Sequence, residues 1–377
     1  MKKNTSEQLV PRDLILKSDK ILFITHLAIG DFTYMQSFFK AFHEEYPHIK
    51  IDLWIDETRR TRLFWHWKNL KNYSLIDWIK GCSIFNKIYF RFYSWNKFYK
   101  GVEEAKKERY PIVVSLGILR PKFYSWLARE ISPNSFVASV VNDNLKKKHF
   151  SRINAFVNID EINKVERHVT DDYEKFFYRF LGVKFDEENR RPFINIPKEW
   201  LSYAKLKFVK WGIRHKDERI DQVFFINIFA KESKRCWPLD KLVKLIFELK
   251  KIDDFCDSYF IVNVEPRYYQ QVNSFLSNYC LNKVFLFTAK DNFFQLPAII
   301  SLCDFVISVE TSTIHISSAL NIPVVALMRR KNPEWGPYFK NNSKVILPNY
   351  RNDWVEDVSV EKVTAGSEAF FNSFQAR

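Results

Sequence analysis

A chain of 377 residues, 46% apolar and 27% charged, has the balance of a folded globular protein and is long enough to divide into two cored domains. It holds only 8 glycines, which nearly excludes glycine-rich phosphate loops, and five scattered cysteines with no Cys-x-x-Cys pair, which excludes a disulfide framework and a zinc site. Net charge is +15, and residues 1–220 carry 41 Lys and Arg against 27 Asp and Glu, whereas residues 221–350 carry 15 against 12, so an anionic partner is expected for the first half.

In chain order, Lys20–Thr25 reads as a buried strand, followed by Gly30-Asp31 and an amphipathic stretch from Phe32 to Tyr46. A second strand runs over Ile49–Ile55 and ends at Asp56; further strands are predicted near 84–90, 112–116 and 136–140. A charged helical linker near Lys205–Arg219 separates this series from a second one. There, strands are predicted at Val223–Asn227, Tyr259–Val262, Val284–Phe287, Phe305–Ser308 and Val324–Leu327. Helices fall between them at Leu239–Lys250, Gln295–Leu302 and Ser312–Leu320. Strand–helix alternation predicts parallel sheets with right-handed crossovers, so the expected fold is two doubly wound α/β units in series. Ligands of such sheets sit at the carboxyl ends of the strands, which makes an interdomain cleft the expected active site.

Three segments carry candidate chemistry. In His26-Leu27-Ala28-Ile29-Gly30-Asp31, glycine permits a tight turn and Asp31 sits where a helix-capping aspartate belongs. In Lys231-Glu232-Ser233-Lys234-Arg235-Cys236-Trp237-Pro238, three cations precede a proline-started helix, an arrangement that suits an anion site or an ordinary solvated loop. In Ser308-Val309-Glu310-Thr311-Ser312-Thr313-Ile314-His315, a buried strand enters a hydroxyl-rich helix start. That start can bind phosphate or merely cap itself, and His315 reads equally as a core imidazole.

Together, in this order and spacing, the segments resemble glycosyltransferase family 9, the heptosyltransferases of lipopolysaccharide core assembly. The family's small-x-Gly-Asp turn is matched by Ala28–Asp31, and its Ser-Lys-Arg-Trp-Pro-like segment by Ser233–Pro238. Its Asp-Thr-Gly-x-x-His-like helix start is matched by Glu310–His315, and its closing loop by Trp335-Gly336-Pro337-Tyr338. The helix end Phe180-Leu181-Gly182-Val183 is similar too. The chain departs from the family pattern at Glu310, at Ser312, at the inserted Cys236, and at Val262-Asn263-Val264-Glu265, which replaces a glycine-rich strand end.

The resemblance implies the GT-B arrangement: an acceptor-binding Rossmann-like domain over 1–205, a linker over 206–220 and a nucleotide-sugar domain over 221–350. A helical segment over 351–377 is expected to pack back on the first domain. It implies inverting, metal-independent transfer with no cofactor, the donor being a nucleotide sugar, ADP-heptose by the family's habit. Asp31 would be the general base. Lys234 or Arg235, with the amides and hydroxyls of Thr311, Ser312 and Thr313, would hold the diphosphate, and Glu265, Glu310 and His315 would complete the donor site.

The acceptor side is argued from charge. Arg59, Arg60 and Arg62, then Lys87, Arg91 and Lys97 interleaved with aromatics, suit a phosphorylated, lipid-linked core oligosaccharide. The polar amino terminus is not a signal peptide and no run of ~18 apolar residues occurs. The expectation is therefore a cytoplasmic protein, peripheral at most on the inner membrane. A nucleotide-sugar epimerase of the same architecture is the alternative enzyme. A nucleic-acid-binding protein is the alternative class, disfavoured by the absence of any helix-turn-helix, zinc-finger or RNP-like signature.

Overall fold

The computed structural model describes residues 8–57, 74–90, 92–161, 167–214, 216–218 and 221–375. The chain divides into two units, Met1–Arg191 and Pro192–Arg377.

In the first unit the strands are β1 (Lys20–Thr25), β2 (Lys50–Ile55), β3 (Phe85–Tyr89), β4 (Ile112–Ser115), β5 (Phe136–Val141) and β6 (Ala155–Asn158). The helices are α1 (Arg12–Lys17), α2 (Ile29–Glu45), α3 (Leu75–Lys80), α4 (Trp95–Lys106), α5 (Pro121–Ile131), α6 (Val169–Leu181) and α7 (Glu187–Arg190). All strand pairs are parallel, in the order β3-β2-β1-β4-β5-β6. β1 and β4 are buried almost throughout, as strands covered by helices on both faces must be. α6 ends where Gly182 takes φ 76°, the left-handed cap that only glycine adopts at no steric cost.

The second unit holds α8 (Lys198–Lys210), β7 (Val223–Asn227), α9 (Leu239–Leu249), β8 (Tyr259–Asn263), α10 (Tyr269–Leu276), β9 (Val284–Phe287) and α11 (Gln295–Ser301). β10 (Phe305–Val309), α12 (Ser312–Ala319), β11 (Val324–Leu327), β12 (Ser343–Ile346) and α13 (Val360–Gln375) follow. Its sheet is again parallel, β12-β11-β10-β7-β8-β9. Read from the opposite edge, this is the strand order of the first sheet. Both follow the 3-2-1-4-5-6 order of Rossmann folds, with a topological switch between β1 and β4 and between β7 and β10. Two Rossmann-like α/β units are thus the fold, as the alternation predicted.

Two boundaries differ from expectation. The stretch assigned to the end of the first domain and to a linker contains α8, which packs on α11 and buries Ala204 and Phe208; Trp211 after it stacks on Phe285 at 5.5 Å. Burying a phenylalanine side chain contributes about 2 kcal/mol, which a solvated linker would forgo, so the division falls after Arg191. The last helix, expected on the first domain, packs on α9, β11 and β12 of the second unit. Phe370 meets Phe305 at 5.4 Å and Phe371 meets Phe255 at 4.7 Å, so its apolar face completes that core. Strands β6 and β12 were not foreseen: both are four-residue edge strands, and neither is apolar throughout.

Candidate functional site

At the switch point of the first sheet, β1 runs out at Thr25 and the chain enters α2 at Ile29. Asp31 is the third helical residue, not the cap itself. Its Oδ2 accepts the Ala28 amide at 2.7 Å, turning back on the residue before the helix. Its Oδ1 accepts the Tyr173 hydroxyl of α6 at 3.2 Å. Each carboxylate oxygen thus has a fixed donor, which orients the group. The turn expected of Gly30 lies inside this first helical turn, and Gly30 is not among the residues with positive φ.

Two further carboxylates lie beyond the end of β2. Asp56 is 4% exposed and Glu57 3%, and burial at this level requires partners. Asp56 Oδ2 accepts Arg120 Nη1 at 3.2 Å and the Tyr124 hydroxyl at 3.0 Å; Glu57 accepts the Tyr93 hydroxyl at 3.2 Å. Tyr124 lies against the His26 ring, centroids 6.0 Å apart. A Cβ on Gly117 would fall 2.3 Å from the Tyr124 ring and 3.0 Å from His26 Nδ1, so the glycine makes room for this pair. Tyr173, Glu57, Arg120 and Tyr124 were missed by sequence reasoning, and Asp56 was read only as a strand end. The signal available was position: Asp56, Glu57 and Arg120 follow β2 and β4 within a few residues, at the ligand-binding edge of such a sheet.

In the second unit a cavity of about 290 Å³ opens at the corresponding edge, bringing together Lys231, Arg235, Glu265, Glu310, Thr311, Ser312 and Thr313. Three separate sequence segments therefore meet. Lys234 does not line it: the side chain is half exposed, 3.9 Å from Glu232. Arg235 contacts Glu232 at 3.3 Å and Glu310 at 3.9 Å, and its Nε is buried with no hydrogen-bond partner. Of the two cations, Arg235 lines the cavity. At the start of α9, Pro238 is the cap, and Trp237 before it is buried with its indole N–H donated to the Val358 carbonyl at 2.9 Å.

The helix start at the cavity is that of α12. Thr311 caps it, its Oγ1 accepting the Thr313 amide at 3.4 Å. Asn227 donates to Ser308 and Thr311 at 3.3 and 3.1 Å and accepts from Asn263 at 2.9 Å, tying β7, β8 and β10 together beneath the cavity. Glu310 would bring negative charge to an anion site, but Arg329 holds it at 3.1 Å through Nε and 3.0 Å through Nη2. That hydrogen bonding also holds the Arg329 guanidinium above its ordinary pKa. Glu265 lies 2.7 Å from Arg267. His315 is buried on α12 with Trp335 at 6.0 Å and is not among the residues lining the cavity.

Of the acceptor candidates, Arg59, Arg60, Arg62 and Arg91 lie outside the described residues. Lys87 is paired with Glu108, which also binds Lys20 at 3.2 Å. Lys20 is the first residue of β1, so this cluster belongs to the amino edge of the sheet, opposite the Asp31 turn. Lys97 lies exposed in the first turn of α4, at the carboxyl edge. Among the described residues no group of three or more His, Cys, Asp or Glu is placed to hold a metal ion, and no helix is long and apolar enough to cross a membrane.

The sequence profile described as glycosyltransferase family 9 (heptosyltransferase) matches residues 150–363. The chain belongs to this family. No curated protein sequence matches it significantly. Among solved structures it is similar to the glycosyl transferase family 9 protein of Veillonella parvula, at 18% identity and TM-score 0.74, over 94% of this chain and 97% of that one. It is also similar to E. coli ADP-heptose lps heptosyltransferase II, at 14% identity and TM-score 0.66, over 94% and 99%. E. coli heptosyltransferase WaaC with ADP gives 13% identity and TM-score 0.64, over 94% and 98%. The family membership makes the chain a glycosyltransferase, and the likeness of structure supports its fold.

Proposed function

We propose that this glycosyltransferase moves a heptose from ADP-heptose to a phosphorylated, lipid-linked lipopolysaccharide core acceptor, with inversion and without a metal ion. The observation that carries the donor half is the buried, unpartnered Nε of Arg235 in the cavity at the start of α12. An unspent guanidinium donor beside a helix amino terminus suits a diphosphate. Glu265, just past the second strand of the unit, occupies the place where Rossmann folds hold ribose hydroxyls with a carboxylate. In E. coli WaaC the solved ligand is ADP-2-deoxy-2-fluoro heptose, which supports the choice of donor.

Asp31 acts as the base. As the acceptor oxygen bonds to the anomeric carbon, Asp31 takes its proton and the bond from that carbon to the diphosphate oxygen breaks. Negative charge collects on the leaving diphosphate, where Arg235 and the first-turn amides of α12 stabilise it. Protein cations and helix amides do the work that Mg²⁺ does elsewhere, so turnover is expected to survive EDTA. The positive excess of residues 1–220 supports an anionic acceptor there.

Incubating the enzyme with ADP-heptose and with other nucleotide sugars, and following nucleoside diphosphate release with and without core oligosaccharide, tests this. Acceptor-dependent ADP release is expected; release only from another nucleotide sugar, or equal release without acceptor, overturns the donor or the acceptor assignment respectively.

A further inference from the structure

Glu310 is the charge that least suits the cavity at the start of α12. Lys231 and Arg235 there attract a diphosphate; a carboxylate 3.9 Å from Arg235 repels that ligand and draws the guanidinium toward itself. Glu265, the other acid lining the cavity, is partly exposed to water and lies 2.7 Å from Arg267. Glu310 is only 8% exposed, so solvent does little to screen it and a fixed cation has to.

That cation is Arg329, which is not among the residues lining the cavity. Sheet register brings the two together. β10 and β11 are hydrogen-bonded neighbours with Val309 opposite Leu327; Glu310 follows the first strand by one residue and Arg329 the second by two. The Arg329 guanidinium donates through Nε to Oε2 at 3.1 Å and through Nη2 to Oε1 at 3.0 Å, and its backbone amide donates to Oε2 at 3.3 Å. Such two-pronged pairing satisfies charge and direction at once. A row of alternating charges results: Arg329, Glu310, Arg235 and Glu232, the last pair 3.3 Å apart. Within it the 3.9 Å from Glu310 to Arg235 Nη1 is too long for a hydrogen bond. Arg235 is attracted on that side without being bonded, and its buried Nε keeps no hydrogen-bond partner.

We propose that Arg329 is a positioning residue of the donor site: by neutralising Glu310 it leaves Arg235 to the diphosphate, and so sets phosphate affinity from outside the cavity. The inference rests on the reading of that cavity as a diphosphate site. Neutralisation has a signature that packing lacks, because the two halves of the pair act on an anion with opposite signs. Losing Arg329 leaves a negative charge unopposed, losing Glu310 leaves a positive one, and losing both restores the balance.

The full chain and three variants are titrated by calorimetry with ADP and, in parallel, with inorganic pyrophosphate. Arg329→Gln keeps Glu310 charged and leaves its bond to the backbone amide of residue 329 in place. Affinity for both ligands is expected to fall about tenfold, the order of one uncompensated charge at the site. Glu310→Gln is expected to raise it about threefold or more, and the double variant to return within about threefold of wild type. Weaker binding in both single variants, following their melting temperatures and deepest in the double, marks a packing role and overturns the proposal; so do three variants that bind like wild type. Should Arg329→Gln not fold, tighter binding by Glu310→Gln and its reversal in the double variant decide alone. Pyrophosphate binding that keeps the sign pattern, in a protein that ignores ADP, leaves this inference standing and the ADP donor fallen. ADP binding indifferent to all three variants does the reverse, and binding of neither ligand overturns both.

Discussion

The two sheets have one strand order and opposite chemistry at the same edge. Where β1 and β2 end, the chain places Asp31, Asp56 and Glu57; where β7 and β10 end, it places Lys231, Arg235 and a hydroxyl-rich helix start. Gross charge does not follow the edges: the unit with acids at its edge has a net charge of +10 and the unit with cations at its edge +5. Net charge therefore reports what a unit attracts from a distance, and edge residues report what it does at contact. A carboxylate edge suits removal of a proton, and a cationic edge suits a diphosphate taking on charge.

The sharpest way to break this comparison is Asp31→Ala. Transfer is expected to fall roughly 10²–10⁴-fold, with nucleotide affinity by calorimetry unchanged. The lost bond to Ala28 costs only about 1 kcal/mol in a thermal melt, so near-normal turnover in a folded variant would remove the base role. Next in size, Arg235→Gln is expected to weaken ADP binding about 10–100-fold, the worth of a charge-assisted hydrogen bond, whereas Lys234→Gln does little. Equal losses in the two variants would return the choice of cation to the open question the sequence posed.

Tyr173→Phe removes one of the donors that orient the Asp31 carboxylate. The turnover rate is expected to fall about tenfold with the KM for donor unchanged, the worth of one hydrogen bond to a charged group. A lower melting temperature with unchanged turnover would make Tyr173 merely structural. Smallest of all, Lys97→Gln is expected to raise the KM for acceptor no more than about fivefold, as exposed charges do. Lys87→Gln, whose partner is Glu108 at the other edge of the sheet, is expected to leave that KM alone.

Much of the architecture was readable because buried parallel strands write themselves as apolar runs: β1, β7 and β10 are continuous. Edge strands are mixed: β9 reads Val-Phe-Leu-Phe and was foreseen, whereas β6 (Ala-Phe-Val-Asn) and β12 (Ser-Lys-Val-Ile) hold no run of four apolar residues and went unseen. The donor site was readable as motif but not as contact. Lys234 and Arg235 are indistinguishable in sequence, and only the three-residue helical turn over Ser233–Arg235 aims one of them inward. Glu310 differs from the family's Asp in length and not in charge, and its partner Arg329 lies 19 residues later in sequence and beside it in space. Tyr173 lies 142 residues from Asp31, and no local pattern announces such a pair.

The indole of Trp237, next to the loop that carries Arg235, donates to a carbonyl 121 residues further along the chain. At cellular rates of synthesis that interval lasts on the order of ten seconds. Until Val358 has been made, the buried N–H lacks its acceptor, a deficit of about 1–3 kcal/mol. The loop that carries Arg235 is therefore completed only by the last stretch of the chain, and a protein cut short before Val358 is expected to hold its second unit together less firmly.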